Sequence, residues 1–424
     1  MHRLPWRTND RPCAPTHRLA AALVATLLLA VAAACGSDTE TSGDRGDAPT
    51  RGDGRTGRNP AGCVEDGAPG EDLFPDTFEI AHAENLSLDY HDTYKVMSVG
   101  EPAPDQPART YVLVQCGTEA PALEGDLAGA TVVEVPVRSL YSESTSHLGF
   151  IDALGIADLV TGVGNADIVQ TPSVRERIDA GEITMFAENY EVDAEQVIAG
   201  DPDVYVTSGS DDPAHATLTE AGVPVVANAE WMETSPLGWA EWIAFFAALT
   251  NTEARAADVY TGVTERYAAA AERVSDVAER PTVLAGSLFE GEWNAPGGSG
   301  IVAAFIEDAG GRYVFEGDPA TGTLVRDIET VLAEGRDATF WLNPHTFGSR
   351  EEAVAVDSRY GDFAAWDAGG VWNSSRQAGE AGGNLYTEQG PVKVDVALLD
   401  YVKILHPELA EDHELEFFER LPDS

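Results

Sequence analysis

The chain has 424 residues, with 72 Asp and Glu against 26 Lys and Arg, a formal charge of −46. So acidic a chain offers no basic surface to nucleic acid or to anionic lipid, and both are excluded as partners. Only Lys95, Lys393 and Lys403 are lysines. With the abundant Ala and Gly, this usage points to a GC-rich coding sequence, and the acidity suits a salty habitat; neither names a ligand.

Residues 1–34 read as a signal peptide. Arg3, Arg7, Arg11 and Arg18 form a basic leader, and Leu19 to Ala34 is an apolar run of 16 residues, short of the ~20 that a spanning helix needs. The run closes on Ala32-Ala33-Ala34 and then Cys35. That ending resembles the bacterial lipoprotein signal, which implies acylation of Cys35 and an anchor on the extracytoplasmic face of the cell membrane. Ala32 departs from the branched residue usual three places before the cysteine. Ordinary cleavage after Ala-x-Ala, freeing a secreted protein, is the other reading.

Loss of the leader, with its four arginines and Asp10, takes the mature chain to about −49. Residues 35–62 form a predicted disordered tether, because 36–62 carry no aromatic or branched aliphatic side chain and cannot offset their ordering entropy. Two Arg-Gly-Asp triplets within it are coincidences of an Arg/Gly/Asp-rich linker. Cys13 leaves with the signal and Cys35 would carry lipid. Cys63 and Cys116 remain, an even count that reads as a disulfide in an exported chain; two free thiols are the alternative.

About 360 residues follow the tether, enough for two domains. Apolar strand-like runs alternate with amphipathic helical ones, predicting α/β layers with mainly parallel sheets. First-half strands are expected at Tyr94–Val99, Tyr111–Gln115, Thr131–Val137, Leu159–Val163, Val204–Thr207 and Val223–Ala227, with helices at Thr171–Ala180 and Asp193–Ala199. The second half begins again with Thr282–Leu288, Tyr313–Phe315, Ala338–Leu342 and Val371–Asn373. Between them, Pro236 to about Ala278 has no strand signal and sets Trp239, Trp242, Ile243 and Phe246 at helical spacing. Pro236 suits a helix start, and Thr252 is placed to cap the next helix. The expected organisation is an N-terminal lobe over 63–230, a helical bridge over 231–280 whose tryptophans pack between the lobes, and a C-terminal lobe over 281–424.

Several stretches in this order carry a family likeness: Glu191 to Val204, Glu233 to Ile243, Ser299 to Tyr313, and Asp400 to Leu409. From about Cys63 to Pro422 the chain resembles the solute-binding proteins of ABC importers for ferric siderophores and vitamin B12. The resemblance implies a two-lobed monomer with a ligand cleft between the lobes, an ABC permease with its ATPase as partners, and a ferric siderophore as ligand, with cobalamin as the alternative. It also implies that Glu195 and Glu329, each opening a helix ahead of a strand, meet arginines of the permease. Rim charges of this kind tune on-rate and orientation; a solvated acid favoured by the helix dipole is the plain alternative.

Ligands of open α/β sheets sit outside the carboxyl ends of the strands, and closure of two lobes around the ligand would signal occupancy. The residues that follow the predicted strands are Arg138, Tyr141, Ser144, His147, Asn165 and Ser210 in the first half, and Trp293, Ser299, Asn343 and His345 in the second. Apart from Arg138 they are aromatic or hydrogen-bonding, a lining suited to a bulky, partly apolar, multiply polar ligand. A ferric chelate brings its own metal ligands, so no metal site and no further cofactor is expected of the protein.

His147 and His345 could instead clamp a bare ion, but no His-x-His or His-x-x-x-His spacing supports this. Ser144 and His147 lie within one turn and lack a Gly-x-Ser-x-Gly elbow, against a hydrolase. Gly297 to Gly300 lacks the Lys-Ser/Thr of a phosphate loop and reads as a close backbone approach at a helix start. No enzyme activity is expected.

Overall fold

The computed structural model describes residues 57–65, 70–188, 191–343 and 347–422. The signal peptide, Cys35 and most of the tether lie outside them. Residues 57–62, expected in the tether, already belong to the fold. The Asn59 amide is buried and donates to the Asp76 carbonyl (2.7 Å) and to Glu253 Oε2 (2.9 Å).

The first lobe holds two main sheets. β1 (Leu86–Tyr90), β2 (Tyr94–Val99), β3 (Arg109–Gln115) and β4 (Thr131–Val135) pair in that order, antiparallel except for β3–β4. The second sheet uses β5 (Leu140–Ser142), β6 (Val160–Val163) and β7 (Thr184–Met185). A short hairpin follows, of β8 (Ala187–Glu188) and β9 (Glu191–Val192), and then β10 (Val204–Thr207) and β11 (Val225–Ala227). Its order is β11-β10-β5-β6-β7, all parallel. Helices α1 (Leu148–Leu154), α2 (Pro172–Asp179), α3 (Ala194–Gly200) and α4 (Pro213–Glu220) connect these strands.

The second lobe repeats the plan. β12 (Thr282–Ala285) is followed by β13 (Ser287–Phe289), β14 (Glu292–Pro296), β15 (Arg312–Tyr313), β16 (Thr323–Arg326), β17 (Phe340–Asn343), β18 (Val371–Asn373) and β19 (Glu419–Arg420). The order β15-β12-β17-β18-β19 is parallel up to its antiparallel last strand, and β13-β14-β16 form a separate antiparallel sheet. The run expected as one strand from Thr282 to Leu288 is broken at Gly286, whose φ of 102° favours glycine.

The bridge consists of α5 (Pro236–Glu241), α6 (Ile243–Thr250) and α7 (Glu253–Glu272). Ser235 caps α5 by accepting from Gly238 N, with Pro236 in the first turn. Thr252 stands at the start of α7, but its hydroxyl pairs with Thr250 Oγ1 (2.8 Å) and caps nothing. At 20 residues α7 is about 30 Å long, long enough to serve both lobes. Ala256 packs into the first-lobe core, while Val263, Tyr267 and Ala270 pack into the second. Trp242, Ile243 and Phe246 are wholly buried in the first-lobe core, and Trp239 lies against the second.

The remaining helices are α8 (Ile301–Asp308), α9 (Ile328–Gly335), α10 (Arg350–Val356), α11 (Ala364–Ala368), α12 (Leu385–Gln389) and α13 (Val394–Leu405). Between β18 and α13 the chain leaves its own lobe and straps across the first. Glu388 of α12 accepts from Gln170 N (2.7 Å), Thr171 N (2.6 Å) and Thr171 Oγ1 (2.6 Å) at the start of α2. Val392 enters the first-lobe core. Gly149 on α1 permits the contact, because a Cβ there would stand 2.2 Å from the Glu388 carbonyl oxygen. The boundary at residue 281 therefore separates the sheets but not every contact.

The N-terminal segment is pinned twice. Cys63 and Cys116 form a disulfide across 53 residues. Alternation along β2 turns Lys95, Met97 and Val99 inward, and the wholly buried Lys95 ammonium meets Glu253, Asn251 Oδ1 (2.7 Å) and the Ala248 carbonyl (2.8 Å). Burial works to lower its pKa, and the Glu253 charge opposes this. Lys95→Met strands a buried carboxylate and is expected to cost about 3–5 kcal/mol of unfolding free energy, read from urea midpoints. A loss below about 1 kcal/mol would show that the pair fastens nothing.

Candidate functional site

A cavity of about 890 Å³ lies between the lobes. The first lobe contributes Glu101 and Pro104 after β2, and Trp231, Met232 and Glu233 after β11. The second contributes the exit of β12 at Ala285 and Gly286, the start of α8, and part of β14 and β16. Tyr386, Tyr401 and Phe418 close the back as one aromatic group: Phe418 lies 5.4 Å from Tyr386 and 5.2 Å from Tyr401 between ring centroids. Burial raises both phenols, Tyr386 to about 12, so both stay protonated donors at neutral pH.

Strand geometry builds one wall. Successive side chains of a strand face opposite sides, and the register pairs Asn294 with Val325 and Pro296 with Thr323. Asn294, Pro296 and Thr323 line the cavity, and Phe289 and Val325 extend the same face outward, 67% and 49% exposed. The opposite face, with Trp293, Ala295 and Leu324, feeds the lobe core, although Ala295 also borders the cavity. Trp231 is 45% exposed, held by a hydrogen bond from Nε1 to the Ser208 carbonyl (2.8 Å).

None of the eight residues expected to bind ligand whose side chains are described lines this cavity. Trp293 is fully buried against Trp341, Tyr360 and Phe363, with Nε1 donating to the Ala285 carbonyl (3.1 Å). The cavity takes its neighbour Asn294 instead. Tyr141 is 2% exposed and stacked on Phe186 at 5.3 Å in a core cluster. Arg138 precedes β5, at the amino end of that strand, where its guanidinium reaches the Cys63 sulfur (3.6 Å). The cause is a strand expected to end at Val137: β4 stops at Val135, the chain turns at Pro136, and β5 starts anew at Leu140.

Ser144, Asn165 and Ser210 do stand past strand ends of the first lobe, each engaged locally. Ser144 Oγ meets Ser146 Oγ (2.8 Å), Asn165 Oδ1 accepts from Asp167 N (3.0 Å), and Ser210 Oγ meets Ser208 Oγ (3.2 Å). Ser299 is exposed, its hydroxyl directed to the Asp318 carbonyl at 3.5 Å. The glycines flanking it face the 315–322 loop: a Cβ on Gly297 would meet the Ala320 carbonyl oxygen at 2.2 Å, and one on Gly300 the Thr321 carbonyl oxygen at 2.3 Å. Asn343 ends β17, and His345 lies outside the described residues. Trp231 was within reach of the strand-end rule, four places past β11; Tyr386, Tyr401 and Phe418 arrive from distant sequence with no local signal.

Beneath this edge of the first-lobe sheet lie buried polar groups. His147 is fully buried, with Nδ1 2.9 Å from Ser142 Oγ and its ring against Phe246. Burial pushes it down to about 4, against the opposing Glu143 charge. Burial also acts to raise the Glu143 carboxyl, but His215, 3.4 Å away, and Thr207 outweigh it and hold the carboxyl low. Glu230, 2% exposed, is pushed up by burial. His147 is thus a structural imidazole, neutral in the fold. Among the described residues the one group of His, Cys, Asp and Glu close enough to share a metal ion is Cys63, Cys116 and Glu134, whose sulfurs are already joined.

The expected docking residues occupy matched places. Glu195 and Glu329 are both exposed in the first turns of α3 and α9, each two residues after an Asp that caps its helix: Asp193 accepts from Gln196 N and Asp327 from Thr330 N. Glu329 pairs with Arg359 at 3.1 Å.

The family model described as periplasmic binding protein matches residues 142–367. An uncharacterized lipoprotein of Methanocaldococcus jannaschii is 23% identical over 366 residues, covering 80% of this chain and 84% of its own. A periplasmic binding protein of Veillonella parvula superposes with a TM-score of 0.56 at 13% identity, over 74% of this chain and 99% of that one. A protein of Staphylococcus epidermidis, described as a possible iron-binding (periplasmic solute-binding) protein, gives 0.51 at 14% identity, over 64% and 99%. Among the described residues no helix is long and apolar enough to cross a membrane.

His147 makes a prediction about acid. Its folded pKa lies below its unfolded value of 6.5, so its share of stability is present above pH 6.5 and is lost as pH falls toward about 4. Glu230 and Glu388, both raised by burial, act in the opposite sense, so the difference between wild type and His147→Gln isolates the imidazole. Between those pH values wild type should lose about 3 kcal/mol more than the variant, measured by urea unfolding. Parallel curves would show that His147 protonates freely within the fold.

Proposed function

The chain belongs to the periplasmic binding protein family, and from that membership we propose that it captures a ferric siderophore and hands it to an ABC permease. Proteins of this family bind solutes for ABC importers and are not enzymes. The observation that carries the ligand reading is the interlobe cavity of about 890 Å³, walled by Trp231, Tyr386, Tyr401 and Phe418. Its aromatic faces and few hydrogen-bonding groups suit a bulky chelate that brings its own donor atoms for the metal. Among the described residues its wall has no histidine or cysteine for a bare ion. The iron-binding description of the Staphylococcus epidermidis protein supports the same reading. A corrinoid would be held by the same kind of faces and is the second candidate.

Anchoring by an acylated Cys35 fits the lipoprotein name of the Methanocaldococcus jannaschii relative. Glu195 and Glu329 are assigned to permease docking, one exposed carboxylate on each lobe. The Arg359 guanidinium beside Glu329 is an exposed partner that an incoming arginine can displace at small cost.

Titration with a ferric siderophore should quench tryptophan fluorescence, and Trp231→Ala should reduce the quenching and weaken binding about tenfold. A folded protein that binds cobalamin and no iron chelate would transfer the assignment to corrinoids. Glu195→Lys combined with Glu329→Lys should cut uptake by cells about tenfold or more while changing chelate affinity less than about twofold. A matching fall in affinity would remove both residues from the docking surface.

A further inference from the structure

We infer that the cavity sorts metal chelates by charge, accepting uncharged or cationic complexes and rejecting anionic ones. This rests on the chelate reading above and narrows it. The cation the sequence offered to the cleft, Arg138, stands instead beside the Cys63–Cys116 disulfide. The charged side chains that line the cavity among the described residues are both carboxylates, Glu101 and Glu233.

A third acid continues the wall. Glu292 pairs with Phe289 across the β13–β14 hairpin and so shares the face that carries Asn294 into the cavity. Arg326 projects from the opposite face of that sheet and is held by Asp318 at 2.6 Å. The start of α8 borders the cavity at Gly300 and supplies the one opposing feature, a helix-end charge of about +0.5. Two carboxylates and the field of a mature chain at about −49 outweigh it.

Ligand chemistry turns this field into selection. Three hydroxamates just neutralise a ferric ion, whereas three catecholates leave a trianion. Entering the cavity strips water from the complex, and a trianion would lose its hydration facing carboxylates, with no cation to compensate. An uncharged complex meets no such penalty and lays its apolar surface on Trp231, Tyr386 and Phe418. A cationic one gains from the same acids that repel the trianion.

The test is equilibrium titration of the mature protein with ferrichrome, ferrioxamine B and ferric enterobactin, which are uncharged, cationic and trianionic, at low and at high salt. The first two should bind at least about tenfold more tightly than the third at low salt. The gap should shrink at high salt, because exposed charges are screened, and Glu101→Gln should narrow it as well. Ferric enterobactin binding as tightly as the others would overturn the charge selection and leave the chelate reading intact. Failure of all three to bind a folded protein would remove the chelate reading and this inference together.

Discussion

Buried carboxylates that collect main-chain N–H groups hold this molecule together. Glu241 accepts from Ala81, His82 and Ala83, and Glu233 from Glu84, Asn85 and the Trp242 indole. Glu388 draws the second-lobe strap onto α2, and Asp400 gathers Glu416 and Phe417 beside His413. With Glu253, the partner of Lys95, all five are 6% exposed or less. Each lies far in sequence from at least part of what it binds, so every one closes a loop that apolar burial alone would leave unregistered. A charge so placed is tolerable only while its partners stay put. That is why segments as irregular as residues 81–85 and 413–418 follow one defined path. The acidity that reads from composition as a surface property is thus partly an internal scaffold.

The same constraint decides where the cavity lies. Glu233 ends the turn that presents Trp231, and its carboxylate is fixed by the segment that leads into β1. Asp400 steadies the stretch that delivers Phe418 and accepts from the Phe418 N–H itself (3.3 Å). The aromatic back wall and the opposing indole therefore owe their positions to buried carboxylates, one of which, Glu233, also lines the cavity.

Much of the fold was legible because its signals are local. The runs Tyr94–Val99, Val204–Thr207 and Val371–Asn373 form strands at those limits, and α7 lies within a stretch that carries no strand signal and, past Pro236, no proline. The site was less legible, for two physical reasons. Strand parity reverses with a single residue, so a wall that takes Asn294 sends Trp293 into the core. A missed strand start after Pro136 likewise carried Arg138 and Tyr141 to the wrong places. The second reason is distance: Tyr386, Tyr401 and Phe418 meet Trp231 only through the strap and the last helix, and nothing near them in sequence marks that meeting.

The strap has a mechanical consequence. Two bodies joined by one rod can swing about it, as a door does about a post. Fastened at a second place, by Glu388 on one side while α7 spans the other, they make a ring, and a ring has no free axis. A large swing would have to tear the strap from α2 and draw Val392 out of the first-lobe core. The Trp231 indole, part of the cavity wall and 45% exposed, meets solvent without any such swing.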